Sequence, residues 1–343
     1  MATIFDLVKS NFIASYWQTL GNSETGMTAE LFPASKQIGL DLKWIKGSKG
    51  RPVVLKASAF DAHAIPRARI GFTQLQKQMP YFKESSYIDE ELRQQLNLVL
   101  ASGNQVYIDS VMNRIFEDEM RLLRGAAGRR EQMRTMALTT GYVSMVSNGQ
   151  DFTFDYGVTH KVSASTPWSN PDSDPIEDMR LAKETIQAET GEVLTRAMCD
   201  GTSWKNLRRN NFVRDSIFHY ALGSGGIVSD RALKSFIFEE MGIEVMVNDH
   251  RYDEEPGTSI RYMPENTFVM FPSGPLGRTW FGTTPAESDL ANSNIANVSI
   301  VDTGVAITTV QKADPVQVET IVSQICLPSL EMADSIYILD TDV

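Results

Sequence analysis

The stretch "NDHRYDEEPG" gathers the side chains best suited to chemistry in this chain: Asp249, His250, Asp253, Glu254 and Glu255. An imidazole beside carboxylates can hold a cation or exchange protons with a substrate, which would suit a hydrolase using Asp249, His250 and Asp253. The stretch follows a strand-like run and ends at Pro-Gly, and acidic loops of this kind are usually only solvated. Both interpretations are open on the sequence alone, and the solvated loop is the simpler one.

A second acidic stretch, "NPDSDPIED", superficially resembles a calcium-binding loop. Its alternating oxygen ligands would be Asn170, Asp172 and Asp174. An EF-hand loop also requires Gly at its sixth position and Glu at its twelfth, where this chain has Pro175 and Leu181. The same stretch carries a helix-start signal, with Asp174 as the N-cap, Pro175 after it and Glu177 in the first turn. We predict a capped helix here and no metal site.

Two glycine-containing segments could cradle a phosphate. In "LGSGGIVSD" (222–230) the glycines precede a helix with Ser229 as the expected N-cap, but neither Lys nor Ser/Thr follows in phosphate-loop register. In "PSGPLG" the residue Pro275 has no N–H to donate. We therefore interpret 222–230 as a connector and the second segment as a structural turn.

The flanks of that turn, "NTFVMF" and "GRTWFG", are predicted to be two strands joined tightly within one domain. Arg278 and Trp280 follow the turn directly. They are expected to anchor it either to the core or to a neighbouring subunit.

Sequence signatures of enzymes are otherwise absent. The chain has no GxxxxGK[ST], GxGxxG, HExxH or GxSxG pattern, and its four histidines are scattered. Cys199 and Cys326 lie far apart in the sequence, which fits a reducing compartment. We predict that the protein is not an enzyme, with no catalytic residue, no cofactor and no metal.

Length and charge restrict the class of protein further. The 343 residues exceed the usual size of one domain, so two domains or one large elaborated domain are expected. The net charge of −11 argues against nucleic acid as the primary ligand and leaves room only for a local basic patch. No run approaches the ~20 apolar residues of a membrane span, so we expect a soluble protein.

The elements that would position these residues begin with a short N-terminal helix. It carries Trp17, which needs a partner surface either on a neighbouring subunit or on its own core. The stretch "IGLDLKWIKGSKGRPVVLKAS" then predicts a hairpin whose tip carries Lys46, Lys49 and Arg51. This cationic tip could contact phosphate, remain solvated, or meet an acidic patch on a neighbouring subunit.

Helix is predicted to dominate from about 87 to 140. Apolar residues recur at helical spacing in "NQVYIDSVMNRIFEDEMRLLRG", which predicts a long helix of roughly 20 residues, or about 30 Å. Gly125 is expected to stop or kink it. The opposite face carries Arg121 and Arg124 among acids, which predicts a solvated or intersubunit surface. A hairpin around Asn148-Gly149, then alternating short helices and strands, and finally a strand-rich C-terminus complete an α+β pattern.

In this order, the parts resemble the major capsid proteins of tailed bacteriophages, specifically the lambda-type head protein (E protein) family, which has the Hong Kong 97-type fold. The most specific similarity is "YMPENTFVMFPSGPLGRTWFG". Further similarities are "VMNRIFEDEMRLLRG" followed by "FTFDYGVTHKV", then "PWSNPDSDPIEDM", and "DSIYILD" near the C-terminus.

The resemblance implies a tailed-phage major capsid fold with four parts. These are an N-terminal arm (1–30), an extended hairpin called the E-loop (31–85), a peripheral domain with a long spine helix (86–162 plus 311–343) and an axial domain (163–310). It implies contacts between copies, for which the candidate residues are Lys46, Lys49, Arg51, Trp17, Arg121, Arg124, Arg278 and Trp280. Nothing identifies a lysine–asparagine crosslink, so covalent crosslinking is not predicted.

The function implied is a head protein that self-assembles into the icosahedral shell enclosing double-stranded phage DNA. Expected partners are other copies in hexamers and pentamers, portal and scaffolding proteins, a decoration protein, and packaged DNA through non-specific contact, with no membrane. The protein would be assembled in the host bacterial cytoplasm and reside in the virion. The alternatives are another virion structural protein, such as a tail tube or decoration subunit, and a soluble hydrolase using Asp249, His250 and Asp253.

Overall fold

The structure of the protein is a computed structural model. It describes residues 8–19, 26–46, 73–88, 90–102, 105–147, 149–218, 227–255, 257–291, 293, 295–314 and 316–342. The described part mixes helices and strands, as predicted for an α+β protein.

The elements of the first part of the chain lead up to one long helix. In chain order they are α1 (Ser10–Thr19), β1 (Ala34–Lys36), β2 (Asp41–Lys46), β3 (Thr73–Gln78), β4 (Tyr81–Ile88), α2 (Glu90–Ser102) and α3 (Gln105–Thr140).

The second part alternates short helices with strands and ends in long strands. Its elements are β5 (Tyr142–Ser147), β6 (Gln150–Asp155), β7 (His160–Ser163), α4 (Pro175–Glu189), β8 (Leu194–Cys199), α5 (Gly201–Arg209), α6 (Asn211–Phe218), α7 (Asp230–Met241), β9 (Glu244–Val247), β10 (Arg251–Asp253), β11 (Ser259–Arg261), β12 (Thr267–Pro272), β13 (Gly277–Phe281), β14 (Asn297–Val301), β15 (Val305–Ala313), β16 (Val316–Leu330) and β17 (Tyr337–Asp340). A π-helical turn lies at Ala286–Leu290 and a 3₁₀ turn at Ala333–Ser335.

The chain forms two compact units. Unit 1 comprises 1–42, 76–134 and 278–329, and unit 2 comprises 43–75, 135–277 and 330–343. These bounds differ from those predicted, because 278–310 falls in unit 1 and 330–343 in unit 2. Strand pairing explains both differences: β14 and β15 pair in the sheet of unit 1, whereas β17 pairs with β12 and β7 in unit 2.

Unit 1 is built around a six-stranded sheet in the order β1-β13-β16-β15-β14, with β4 also paired to β16. The long helix α3 contributes Ile115, Met120, Leu123 and Met133 to the buried core of this unit. Each such side chain contributes roughly 1.5–3 kcal/mol through the apolar area it removes from water.

The helix α3 is longer than the sequence indicated. Its 36 residues span about 54 Å at a rise of ~1.5 Å per residue. The helix continues through Gly125, so the predicted stop there is wrong. Glycine costs only about 1 kcal/mol inside a helix, and the buried residues on both sides of Gly125 offset that cost.

Unit 2 is built around a five-stranded sheet in the order β7-β17-β12-β8-β9. Its core is one apolar cluster that includes Trp168, Ile186, Leu233, Ile237 and Phe268. The central strand β12 is buried on both faces along its length, which is why "TFVMF" is continuously apolar.

Helix ends in unit 2 follow the sequence signals closely. Asp174 caps α4 by accepting a hydrogen bond from the Glu177 backbone N–H at 3.1 Å, which confirms the capped helix in place of a calcium loop. Ser229 caps α7, and Gly242 ends it with a left-handed backbone at φ 63°. The predicted hairpin at Asn148-Gly149 is also present, since β5 and β6 pair from Tyr142↔Asp155 to Ser147↔Gln150.

The segment around Gly274–Gly277 contains two strands, as predicted, but they do not form a hairpin within one domain. β12 pairs with β17 and β8 in the five-stranded sheet, whereas β13 lies between β1 and β16 in the other sheet. The turn, with Gly274 at φ 89°, carries the chain from one sheet to the other. Both strands are apolar because each is buried in its own sheet.

The described strands between 31 and 85 belong to two different sheets. β1 pairs with β13 and β4 pairs with β16, so both ends of this region belong to the sheet of unit 1. β2 and β3 form a separate two-stranded sheet. Among the described strands, they have no partner other than each other.

Candidate assembly surfaces

The N-terminal helix α1 is held against the sheet of unit 1. Ile13, Ala14 and Trp17 are buried, and the Trp17 Nε1–H donates to Asp302 Oδ1 at 3.1 Å. Of the two sequence-based alternatives for this helix, packing on its own core is therefore the one observed. Any contribution of Trp17 to contacts between copies is indirect, through the position of α1.

Asp302 links three elements of unit 1. Besides Trp17, its second carboxylate oxygen accepts a hydrogen bond from Arg130 Nη2 of α3 at 3.1 Å, and both charged groups are almost fully buried. Asp302 and Thr303, in the turn between β14 and β15, have left-handed φ values of 45° and 69°. Such conformations cost of order 1–3 kcal/mol each, so the buried contacts of Asp302 must hold this turn in place.

Two further buried residues, Arg134 and Glu131, also fix α3 in unit 1. Arg134 Nε donates to Thr279 Oγ1 at 2.7 Å, and the same hydroxyl donates to the Phe32 carbonyl. Glu131 accepts hydrogen bonds from the backbone N–H and the hydroxyl of Thr28, at 3.1 and 2.6 Å. The spine-like helix is thus fixed by charged side chains as well as by apolar packing.

Glu119 is a buried acid on the same helix. Its Oε2 atom has no hydrogen-bond partner among the described residues. The pKa of Glu119 is raised to about 7, chiefly because burial disfavours the charged form. The hydrogen bond of the Thr320 hydroxyl opposes part of this rise, and the charge of Asp118 adds a smaller increase.

The exposed face of α3 carries the two arginines proposed from the sequence. Arg121 is 78% exposed, and among the described residues its one ion pair is with Asp118 at 3.4 Å, one turn away on the same helix. Arg124 is exposed as well. A surface pair of this kind contributes little to folding, which leaves both guanidinium groups accessible to another molecule.

Arg278 and Trp280 occupy the strand that follows the Gly274–Gly277 turn. The Trp280 Nε1–H donates to Ser329 Oγ at 3.2 Å, so this ring is anchored within unit 1. Arg278 lies with its guanidinium 5.9 Å from the Trp280 ring centroid and donates to Ser35 Oγ at 3.3 Å, but its side chain remains exposed.

The cationic tip proposed at Lys46, Lys49 and Arg51 lies largely outside the described residues. Lys46 is the last residue of β2. Lys49 and Arg51 lie beyond the described range, so the role of this tip stays a prediction.

In unit 2 the acidic stretch at 249–255 is not arranged as a catalytic site. Asp249 is 55% exposed and pairs with Arg261 at 3.2 Å, and Arg261 also lies 3.5 Å from Glu265. Within the described residues, no hydrogen bond joins the side chains of Asp249, His250 and Asp253. Nor does that part of the chain contain a group of three or more potential ligands placed to hold a metal ion.

Several residues with buried polar roles were not found from the sequence. Asp302, Glu119 and Asp200 are examples; Asp200 caps α5 through the Thr202 and Ser203 backbone N–H groups. The Asp-Thr-Gly signal at 302–304 predicts a turn, but nothing in the sequence shows that Arg130 and Trp17 meet there. No described helix combines the length and the apolar character of a membrane span.

Solved structures of a phage-related protein and of two capsid proteins share this fold. A phage-related protein from Bordetella bronchiseptica RB50 is 15% identical, with a TM-score of 0.55 and 97% of each chain covered. The cyanophage A-1(L) capsid protein is 11% identical, with a TM-score of 0.55 and 93% of each chain covered. A putative prophage capsid protein from E. coli CFT073 is 16% identical, with a TM-score of 0.52 over 78% of this chain and 79% of that one. The chain therefore has the fold of phage capsid proteins.

Residues 10–341 match the phage major capsid protein E family, and the chain belongs to that family. No curated protein sequence matches it at a significant level. The protein is therefore a major capsid protein of the virion that associates with its own copies, and not an enzyme. The hydrolase, tail-tube and decoration-protein alternatives are set aside by this family membership.

Proposed function

We propose that the chain builds the icosahedral head shell around double-stranded DNA through hexamers and pentamers, with the β2–β3 ribbon lying across an adjacent copy. The observation that carries this proposal is the separate two-stranded sheet of β2 and β3. A two-stranded sheet without a third strand is only marginally stable in water by itself. Leu42, near the start of β2, is buried within this copy, and the part of the ribbon beyond it is proposed to be covered by a surface on a neighbouring copy.

In this arrangement the basic tip Lys46, Lys49 and Arg51 meets acidic groups of the neighbour. Arg121, Arg124 and Arg278 are accessible and provide further contacts between copies. Each contact can be weak, because many copies closing one shell gain stability through multivalency.

The two units take different roles in the proposed shell. Unit 1, with α3, acts as the peripheral domain, and unit 2 acts as the axial domain around the capsomer centre. This assignment is supported by the long helix in unit 1 and the compact α/β sheet of unit 2.

Further partners proposed for assembly are a portal protein, a scaffolding protein and a decoration protein. Contact with packaged DNA is expected to be non-specific, since a chain with a net charge of −11 offers little to bind phosphate strongly. Co-expression with each partner, followed by co-sedimentation with shells, tests these associations one at a time.

Electron microscopy of the purified, overexpressed chain tests the assembly itself. Shells, hexamers or pentamers are expected, and persistent monomers at high concentration would contradict the proposal. Deleting Lys46 to Arg51 is expected to lower the assembled fraction at least tenfold with unchanged circular dichroism. The triple variant Lys46→Ala, Lys49→Ala, Arg51→Ala is the matched control that separates loss of charge from loss of chain length; unchanged assembly in both variants would refute a role for the tip.

A further inference from the structure

The hairpin of β10 and β11 projects from unit 2. Its two strands pair with each other from Arg251↔Arg261 to Asp253↔Ser259, and no other described strand joins them. The rings of Tyr252 and Tyr262 pack 4.8 Å apart across it. Arg261 fixes its base through ion pairs, so the hairpin is an ordered projection that is not part of the core.

The end of this hairpin is acidic and accessible. Asp253, Glu254 and Glu255 are all exposed. In the described part of unit 2, none of the three forms an ion pair with a Lys or Arg side chain. We call these three residues the acidic tip.

A basic surface lies on two helices of the same unit. It consists of Lys205 and Arg209 on α5 and Arg231 and Lys234 on α7, all exposed. The two helices are joined at Asp230, which accepts a hydrogen bond from Trp204 Nε1 at 2.9 Å and pairs with Arg208 at 3.3 Å. The four cations thus stand on the exposed sides of two helices that contact each other, and we call them together the basic surface.

The charges at the two ends of α7 differ in how well they suit the helix dipole. In the first turn, Asp230 is favoured by the dipole and Arg231 is not. In the last turn stand Glu239 and Glu240, where the dipole favours cations, so the stability of the helix does not explain these two acids. The segregation extends beyond the helix: residues 201–234 contain six Lys and Arg against two Asp, whereas 239–265 contain eight Asp and Glu against two Arg.

We propose that the acidic tip of one copy docks on the basic surface of the next copy. Two different, complementary surfaces on one unit make a heterologous contact, and such a contact closes into a ring when its rotation allows. Charge complementarity then fixes the orientation of neighbouring copies, because the acidic tip is attracted to the basic surface and repelled by another acidic tip. The inference rests on the proposed self-assembly and names the surfaces that join unit 2 to its neighbours within a capsomer.

Charge reversal tests each surface separately. One variant carries Glu254→Lys and Glu255→Lys, which change the charge of the acidic tip from −3 to +1. The other carries Lys205→Glu, Arg209→Glu, Arg231→Glu and Lys234→Glu, which change the charge of the basic surface from +4 to −4. Because all six side chains are exposed, circular dichroism and thermal unfolding are expected to match the unmodified chain. Each variant alone is expected to lose at least nine-tenths of its assembled fraction, measured by analytical ultracentrifugation and electron microscopy. A matched control with Glu184→Lys and Glu192→Lys, elsewhere on unit 2, is expected to assemble normally.

Mixing the two variants tests the pairing directly. In an equimolar mixture, the tip variant has a positive tip and the surface variant has a negative surface, so these two surfaces attract when the variants are neighbours. Every contact in a ring is of this favourable kind, or of the unmodified kind, only if the two variants alternate. A ring of six copies can alternate in this way, whereas a ring of five copies cannot. The mixture is therefore expected to recover hexamers and sheets or tubes of hexamers, without closed shells.

These outcomes separate the interface from the proposed function. Normal assembly of both reversed variants, or no recovery in the mixture while both remain folded, would overturn the tip–surface contact and leave shell assembly intact. Failure of the unmodified chain to form any capsomer would instead overturn the proposed function. Loss of assembly in the matched control as strong as in the variants would overturn the specific contact, because net charge alone would then explain the effect.

Discussion

The two units of this protein bury different kinds of side chain. Unit 1 buries charged and amide side chains on its long helix and its sheet: Glu119, Arg130, Glu131, Gln132, Arg134 and Gln324 are all at most 6% exposed. Unit 2 has a continuous apolar core, including Trp168, Leu233, Ile237 and Phe268. Its buried acids, Asp178 and Asp200, serve mainly as hydrogen-bond acceptors at loop and helix ends.

This difference predicts two responses to substitution. Buried ion pairs contribute modestly to net stability, but removing one partner leaves an uncompensated charge. Apolar cores instead lose stability in proportion to the volume removed. Unit 1 should therefore be sensitive to the chemistry of a buried residue, and unit 2 to its size.

The largest effect is expected for Arg130→Ala in unit 1. Arg130 pairs with Asp302 at 3.1 Å and also donates to Gln324 Oε1 at 2.9 Å, so its loss leaves a buried carboxylate without its cation. Destabilisation of about 3–5 kcal/mol is expected in chemical denaturation of the unassembled chain.

The control for this prediction is Arg121→Ala, which removes an exposed arginine from the same helix. It should change the free energy of unfolding by less than about 0.5 kcal/mol. Hydrogen–deuterium exchange should show the loss of protection in Arg130→Ala concentrated in unit 1. Equal effects of the two substitutions would remove the distinction between buried and exposed charge in this unit.

In unit 2, two adjacent residues of α7 give a size-dependent comparison. Ile237 is fully buried, whereas Phe238 is 60% exposed. Ile237→Ala is expected to cost about 2–4 kcal/mol through lost transfer energy and a cavity, and Phe238→Ala less than about 0.5 kcal/mol. Ile237→Val should cost only about 1 kcal/mol, and a loss as large as that of the Ala variant would contradict the view of a size-limited core.

The sequence predicts local features of both units better than their long-range contacts. Asp174, Ser229 and Gly242 mark helix ends because a cap acts on the backbone within one turn. The sequence also predicts the two apolar strands around Gly274–Gly277. It does not predict which strands they pair with, because the partners of β12 and β13 lie far away in the sequence. Periodicity shows which residues are buried and leaves open which sheet buries them.

Buried polar contacts are the least accessible to sequence reasoning. The Trp17–Asp302–Arg130 contacts join residues more than a hundred positions apart. An Arg on an amphipathic helix is ordinarily assigned to the solvent face, so Arg130 and Arg134 gave no signal of burial. The same limit applies to Glu119, which stands between Asp118 and Met120 in a mixed stretch of α3.

The smallest effect is expected for Glu119→Gln, and it depends on pH. The pKa of Glu119 rises from 4.5 to about 7 on folding, chiefly because burial disfavours its charged form. Between these two pH values the folded chain keeps a proton that the unfolded chain has lost. The stability of the protein therefore falls as pH rises through this window, and the cost stays constant above it.

Replacing Glu119 with Gln removes the ionisation while keeping the shape of the side chain. The variant is expected to be more stable than the unmodified chain at pH 8, by about 1–3 kcal/mol, and nearly equal to it at pH 4. Glu117→Gln, two residues away on the exposed face, is the matched control and should leave the pH profile of unfolding unchanged. An equal change in the free energy of unfolding at both pH values would contradict this prediction. The gain would then come from packing or hydrogen bonding, and ionisation of the buried Glu119 would not destabilise unit 1.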